Sequence, residues 1–260
     1  MSASNGEIML PFYFWPLDQK GQPYNPAKAY TFTDAGVLIG KWTKDGSDLV
    51  WDLGQTVRID ADQSTRGANE PTIAELKRKG EFMMILRGSN QNKEELPGYK
   101  WVSYSRDHCR TWSKPVPFGY SDSKLFFSSS SMSIILRSSK NDRLYWIGNI
   151  RPTNPRGNKP RYPLVIGEVD EDKGGGLIRE SILVIDTRNP EYDSDDVELS
   201  NFTVYDDPKT GNILIILQRF DYKLQPYTVP HQDPNEPSDW WTPPSYPTCW
   251  YLIEVPQKRQ

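Results

Sequence analysis

The stretch RGANEPTIAELKRKGEFMMILR, residues 66–87, sets a carboxylate, Glu70, beside Pro71 at one end of a predicted hairpin and a guanidinium, Arg87, at the other. A glutamate held this way can act as an acid, a base or a polarising partner. An arginine meets a carboxylate with paired, charge-assisted hydrogen bonds that a lysine cannot match. Arg66, just before the glutamate, and Arg161, in NPRGNKPRYP, are candidates for the same basic cluster, with Arg156 and Arg137 as alternatives. Such a cluster suits a small acidic ligand.

Other chemistries have few residues to work with. Two histidines, His108 and His231, and two cysteines, Cys109 and Cys249, leave little for a metal site or a Ser-His-Asp triad, so neither metal nor cofactor is expected. A disulfide between the two cysteines is the less favoured reading. With a net charge of −3 and both signs interspersed, the chain lacks the basic excess of a nucleic-acid binder. No run approaches the ~20 apolar residues of a membrane span, and MSASNGEIML lacks the basic start and long apolar core of a secretory signal. Localisation is therefore unassigned; a secreted or periplasmic protein would follow if the true start lies upstream.

The elements that must position these groups are strands. Short apolar runs such as AGVLIGKW, FMMILRGS, KWVSYS, MSIILRSS, LYWIGNI, NILIILQR and CWYLIEV alternate with turn signals such as KDG, KRKG, KND and DPKTG. Twenty-two prolines and eighteen glycines punctuate them, which favours an all-β chain of successive hairpins over helices. TIAELKRKG is read as a strand entering a turn. At forty to fifty residues per four-stranded unit, 260 residues supply about four to six blades of a propeller, in one domain spanning residues 1–260. The start, GEIMLPFYFWP, reads as entry into the middle of a sheet, consistent with an incomplete chain. Residues 221–249, rich in proline, are expected to form a long surface loop or strap in which Trp240 and Trp241 offer stacking surfaces for a glycan.

SRDHCRTW, residues 105–112, fits the pattern Ser-x-Asp-x-Gly-x-Thr-Trp at every fixed position but one, with Ser105, Asp107, Thr111 and Trp112 in place and Cys109 where the glycine belongs. In this motif, the Asp box or BNR repeat, the polar side chains bond the backbone of a tight turn and the Trp packs beneath it; its role is structural. A left-handed backbone is expected at Cys109, at a cost of ~1 kcal/mol.

Together with the Glu70-Pro-Thr-Ile-Ala-Glu75-Leu76 segment and Arg87, this motif resembles the sialidase (exo-α-neuraminidase) superfamily of six-bladed β-propellers. The resemblance covers about residues 70–211. It implies that Glu70 polarises a catalytic tyrosine and that Arg87 and Arg161 belong to an arginine set gripping the substrate carboxylate. It further implies a glycoside hydrolase that removes terminal sialic acid or a related acidic sugar. Leu199 stands where the family has its tyrosine nucleophile, so Tyr192 and Tyr205 are the nearby substitutes. The family's first arginine and aspartate acid have no match before Glu70. The rival reading is a non-catalytic carbohydrate-binding propeller that keeps arginines and aromatics, or a truncated piece of such an enzyme.

Overall fold

The structure is a computed structural model that describes residues 1–221 and 248–257. Most of the proline-rich segment, with Trp240, Trp241 and His231, lies outside the described residues. The described chain is all-β. Alternating burial along strands such as Ile213–Gln218 follows from side chains pointing to opposite faces at every second residue. Phe82–Arg87 is instead buried on both faces, which explains its unbroken apolar run.

Fourteen strands form four antiparallel sheets among the described residues, each a meander of sequence neighbours. β1 (Ile8–Phe14), β2 (Asp34–Trp42) and β3 (Leu49–Leu53) form the first. The second holds β4 (Asn69–Glu75), β5 (Phe82–Arg87), β6 (Lys100–Ser105) and the short β7 (Val116–Pro117). The third holds β8 (Ile134–Arg137), β9 (Leu144–Asn149), β10 (Leu164–Glu168) and β11 (Leu183–Asp186). β12 (Thr203–Asp206), β13 (Ile213–Gln218) and β14 (Thr248–Ile253) complete the fourth. TIAELKRKG is strand followed by turn, as its glycine suggests, with Leu76 N–H donating to the Glu81 carbonyl across the turn.

Consecutive sheets meet by one repeated contact. The backbone before β6 receives Ser128 N–H on the Gly98 carbonyl at 2.8 Å, just ahead of β8. Arg161, before β10, bridges in parallel to Glu198, before β12. Thr33, before β2, bridges in parallel to Gly67, before β4. β6 and β10 are third in their sheets, so β2 holds the third-strand place, and β1–β3 correspond to strands two to four of the next two sheets. Three apolar clusters fill the space around these seams, one centred on Phe82, Met84 and Trp112, one on Met83, Phe118 and Trp146, and one on Leu164, Leu199 and Ile215.

The turn at residues 105–112 has the expected hydrogen bonds. Asp107 accepts from the Thr111 hydroxyl at 2.6 Å and from the Thr111 and Arg110 N–H groups at 2.9 and 3.1 Å. Ser105 Oγ accepts from Cys109 N–H at 3.0 Å, and Trp112 is buried in the core. Cys109 is left-handed, with φ +65°, and so is His108, at +56°. Cys109 and Cys249 are not disulfide-bonded.

Candidate functional site

The repeated seam brings one end of the sheets together, and the predicted arginines are there. Glu70 opens β4 with φ +42°, inside a register shift between Asn69 and Thr72. A left-handed backbone is unfavourable for a residue with a Cβ, and such outliers persist only where surrounding contacts hold them. The holding contact is Arg87, the last residue of β5, whose Nη1 donates to Glu70 Oε1 at 2.6 Å. The other carboxylate oxygen, Oε2, is buried and has no hydrogen-bond partner among the described residues.

Arg87 is itself buried, and each of its three nitrogens makes one hydrogen bond, which uses three of its five N–H donors. Its Nε donates to Ser130 Oγ at 3.0 Å and its Nη2 to Asn158 Oδ1 at 3.1 Å. Arg161, also buried, donates from Nε to the Asn158 carbonyl at 3.0 Å and from Nη1 to Ser200 Oγ at 2.8 Å. It forms an ion pair with Glu198 at 2.8 Å. Asn158 thus touches both guanidinium groups, one through its side chain and the other through its backbone.

Arg66 completes the trio from the turn before β4. It donates to Thr31 Oγ1 from Nε and Nη2 at 3.2 and 2.9 Å and lies over the Tyr30 ring, 5.8 Å from its centroid. Among the described residues no carboxylate pairs with it, although it is only 8% exposed. Burial and the neighbouring Arg87 guanidinium both lower its proton affinity; Glu70 opposes this in part, and Arg161 adds to it. An arginine does not give up its proton in proteins, so the effect is one of uncompensated positive charge. Gly67 allows this approach, because its φ is +65° and a Cβ there would lie 2.3 Å from the Thr33 carbonyl oxygen.

Several participants lie beyond the predicted set. Lys100 opens β6 directly opposite Arg87 in register, and it is fully buried. Ser128, Ser129, Ser130 and Ser131, all buried before β8, form the shared cradle. Ser130 takes Arg87 Nε, the Ser129 carbonyl takes Lys100 Nζ at 2.7 Å, and the Ser129 hydroxyl donates to the Pro160 carbonyl. Asn149, ending β9, accepts from Ser131 Oγ at 2.8 Å and donates to the Arg161, Pro163 and Leu199 carbonyls. One amide therefore ties the third sheet to the seam with the fourth. A run of four serines just before an apolar strand was the available signal.

Two clefts flank Arg87. One, of about 600 Å³, is lined by Phe12, Tyr13, Glu70, Thr72, Ser133 and Ile134. The other, of about 340 Å³, is lined by Asn158, Arg161, Glu198, Ser200, Gln218 and Phe220. Arg87 reaches the first through Glu70 and the second through Asn158. Among the described residues no cluster of His, Cys, Asp and Glu could hold a metal ion, and no helix is long and apolar enough to cross a membrane.

The remaining predicted residues are spread more widely. Leu199 is wholly buried, its N–H donating to the Arg161 carbonyl at 2.9 Å. Tyr205 is exposed on β12, and Tyr192 is exposed on a turn ahead of that strand. Arg137 is not part of the cluster: it ends β8, away from the serine cradle at that strand's start, and is held by Glu171 at 2.7 Å and the Glu75 carbonyl at 2.8 Å. Arg156 is largely exposed and pairs loosely with Glu94 at 3.6 Å. Glu75 has a structural role, accepting from Ser4 and from Gly80 N–H.

No protein-family model matches the chain, and no curated protein matches it in sequence. Solved structures do match. The GH93 α-L-arabinofuranosidase of Fusarium graminearum, solved with arabinobiose, is 16% identical over 99% of this chain and 62% of its own, with a TM-score of 0.53. The NanB sialidase of Streptococcus pneumoniae is 18% identical over 75% of this chain and 25% of its own, with a TM-score of 0.48. The Trypanosoma rangeli sialidase is 13% identical over 85% and 28%, also at 0.48. The chain spans about a quarter of the length of these sialidases. These neighbours are β-propeller glycosidases, and the likeness to the arabinofuranosidase is one of fold.

Proposed function

We propose that this chain is a sialidase-like glycoside hydrolase whose substrate is a glycan ending in sialic acid or a related acidic sugar. The observation that carries the reading is the buried Arg66, beside Arg87 and Arg161, which has no carboxylate partner among the described residues and is offset only in part by the field of Glu70. Uncompensated buried charge is costly, and sites that carry it are favoured by a ligand of opposite sign. A carboxylate fits, since guanidinium groups meet it with paired hydrogen bonds.

In this reading Arg66, Arg87 and Arg161 hold the sugar carboxylate, and the four sheets are blades of a six-bladed type in which residues 105–112 form an Asp box. Glu70, with one buried oxygen unpaired, polarises the attacking group. Tyr205 and Tyr192 are the tyrosines nearest Leu199 in sequence, but Tyr205 lies at the end of its strand where Asp206 accepts from Ser139 N–H at 3.0 Å, opposite the arginines, so a tyrosine nucleophile in this reading requires a change of register at that strand. Tyrosine nucleophiles are known exceptions to the two-carboxylate scheme of glycosidases.

The second reading, a propeller that binds acidic glycans without cleaving them, is favoured by Leu199. The side chain at the family's nucleophile position is packed in the core rather than turned to a ligand. Release of aryl alcohol from a panel of aryl sialosides, uronides and α-L-arabinofuranosides, with Arg87→Ala as control, decides between them. Turnover of the acidic substrates, lost in the variant, supports the hydrolase. Binding of acidic sugars without turnover supports the binder, and turnover confined to the neutral arabinoside overturns the acidic-sugar assignment.

A further inference from the structure

Lys100 has no place in the reading above, yet it lies at its centre. The residue is fully buried and faces Arg87 across the β5–β6 pair. Its Nζ meets two acceptors, the Ser129 carbonyl at 2.7 Å and Ser131 Oγ at 3.5 Å, and Ser131 is free to accept because its own proton goes to Asn149. No carboxylate of the described residues pairs with it.

An ammonium group carries three N–H donors, whereas a neutral amine carries two donors and a lone pair. The hydrogen bonds serve either form, since a third N–H or a lone pair would each go unmatched; full burial with no counter-ion among the described residues is what favours the neutral form. The charged groups facing Lys100 act in the same sense. Arg87 on β5 and Arg161 before β10 repel a proton there, and Glu70 on β4 attracts one while spending a hydrogen bond on Arg87. Ser129 and Ser131, before β8, contribute no titratable group. Burial is the largest influence and, with Arg87, holds the amine well below the usual lysine value.

We propose that Lys100 is a positioning residue that takes up one proton when a carboxylate seats on Arg87 and Arg161, so that acidic-ligand binding is coupled to protonation beneath the site. The inference rests on the acidic-ligand reading of the arginine cluster. The incoming negative charge offsets the guanidinium groups, and the amine lone pair then accepts a proton from a buffer acid. No bond of the ligand changes in this step. Lys100 reaches the ligand only through the field and through the Ser129–Ser131 backbone that also holds Arg87.

Isothermal titration calorimetry with free N-acetylneuraminic acid, run at neutral pH in phosphate and in Tris, tests this directly. Binding linked to protonation gives an apparent enthalpy that depends on the buffer's own ionisation. The expected uptake is up to about one proton per ligand, with affinity falling by as much as about tenfold per pH unit as pH rises. Lys100→Met should bind with no buffer dependence. Binding without buffer dependence in the wild type, or uptake that survives in Lys100→Met, overturns the role of Lys100 and leaves the acidic-ligand reading standing.

A second measurement separates the two and needs no variant. The Lys100 ε-carbon resonance of the unliganded protein, followed by 13C NMR against pH, should report a neutral amine at neutral pH. A charged amine there overturns the proposal by itself. Failure of the wild type to bind the acid overturns the acidic-ligand reading, and the coupling falls with it even if the amine is neutral.

Discussion

Arg87 donates to Glu70 at 2.6 Å across a break in strand register that turns Glu70 into the left-handed region. The pair is lopsided. One end is a buried arginine engaged on all three nitrogens, and the other is a carboxylate with an unpaired oxygen. Removing either member therefore has distinct consequences.

Arg87→Ala is expected to weaken binding of an acidic monosaccharide by about 10- to 100-fold, the equivalent of one or two charge-assisted hydrogen bonds. Calorimetric titration measures it, with a circular dichroism spectrum to verify the fold. Unchanged affinity would remove Arg87 from the ligand's reach.

Glu70→Gln keeps the shape and a hydrogen-bonding oxygen for Arg87 but removes the charge. Turnover of an aryl sialoside should fall by at least about 100-fold, the range in which positioned acid-base groups contribute, while the dissociation constant moves far less. A variant that turns over normally while binding is lost would reassign Glu70 to binding alone.

Asp107→Ala deletes the acceptor for Thr111 and Arg110 and should lower unfolding stability by about 2 kcal/mol without touching ligand affinity. Burial raises the Asp107 pKa, but hydrogen bonds from Thr111, Ser105 and Arg110 outweigh it and leave the group below its ordinary 3.8. A depressed pKa means that the native state binds this proton less readily than the unfolded chain. The contribution is therefore complete above the unfolded value and is lost as pH falls through the lower native one. Denaturant titrations of both proteins should show the stability gap narrowing below pH 3.8.

Gly67→Ala should be costly for its size. The added Cβ meets a backbone carbonyl oxygen at 2.3 Å, and the residue must keep a φ of +65°. A loss of about 1 to 2 kcal/mol is expected from the left-handed backbone alone, along with weaker acidic-ligand binding as Arg66 shifts. Thermal unfolding and calorimetry report the two effects, and an unperturbed melting temperature would show that the seam can give.

What the sequence made legible was local. The β4–β5 hairpin, the turn around Asp107 and the left-handed Cys109 depend on neighbours within a few residues, so motif and spacing carry them. Arg87 and Arg161 are expected from the resemblance of their segments to a family pattern, whereas Arg137 is a candidate on residue type alone, and residue type does not say at which end of a sheet a side chain stands. Lys100, Asn149, Glu198 and the serine cradle were missed for a different reason. Their partners lie in other segments: Lys100 meets Ser129 and Ser131, and Asn149 meets Leu199 fifty residues on. Only the packing of one sheet on the next creates these contacts.

That arrangement also sets a sequence in time. Each hairpin can form from its own neighbours, and the second sheet by itself brings Arg66, Arg87 and Lys100 together, with Arg87 and Lys100 paired in register; only Arg161 joins them when the third sheet docks. The crowding of Arg87 against Lys100 is therefore present as soon as the β5–β6 pair forms, and docking adds the charge of Arg161. An anion that binds these groups favours the docked arrangement over the undocked one, by the same attraction through which it occupies the site.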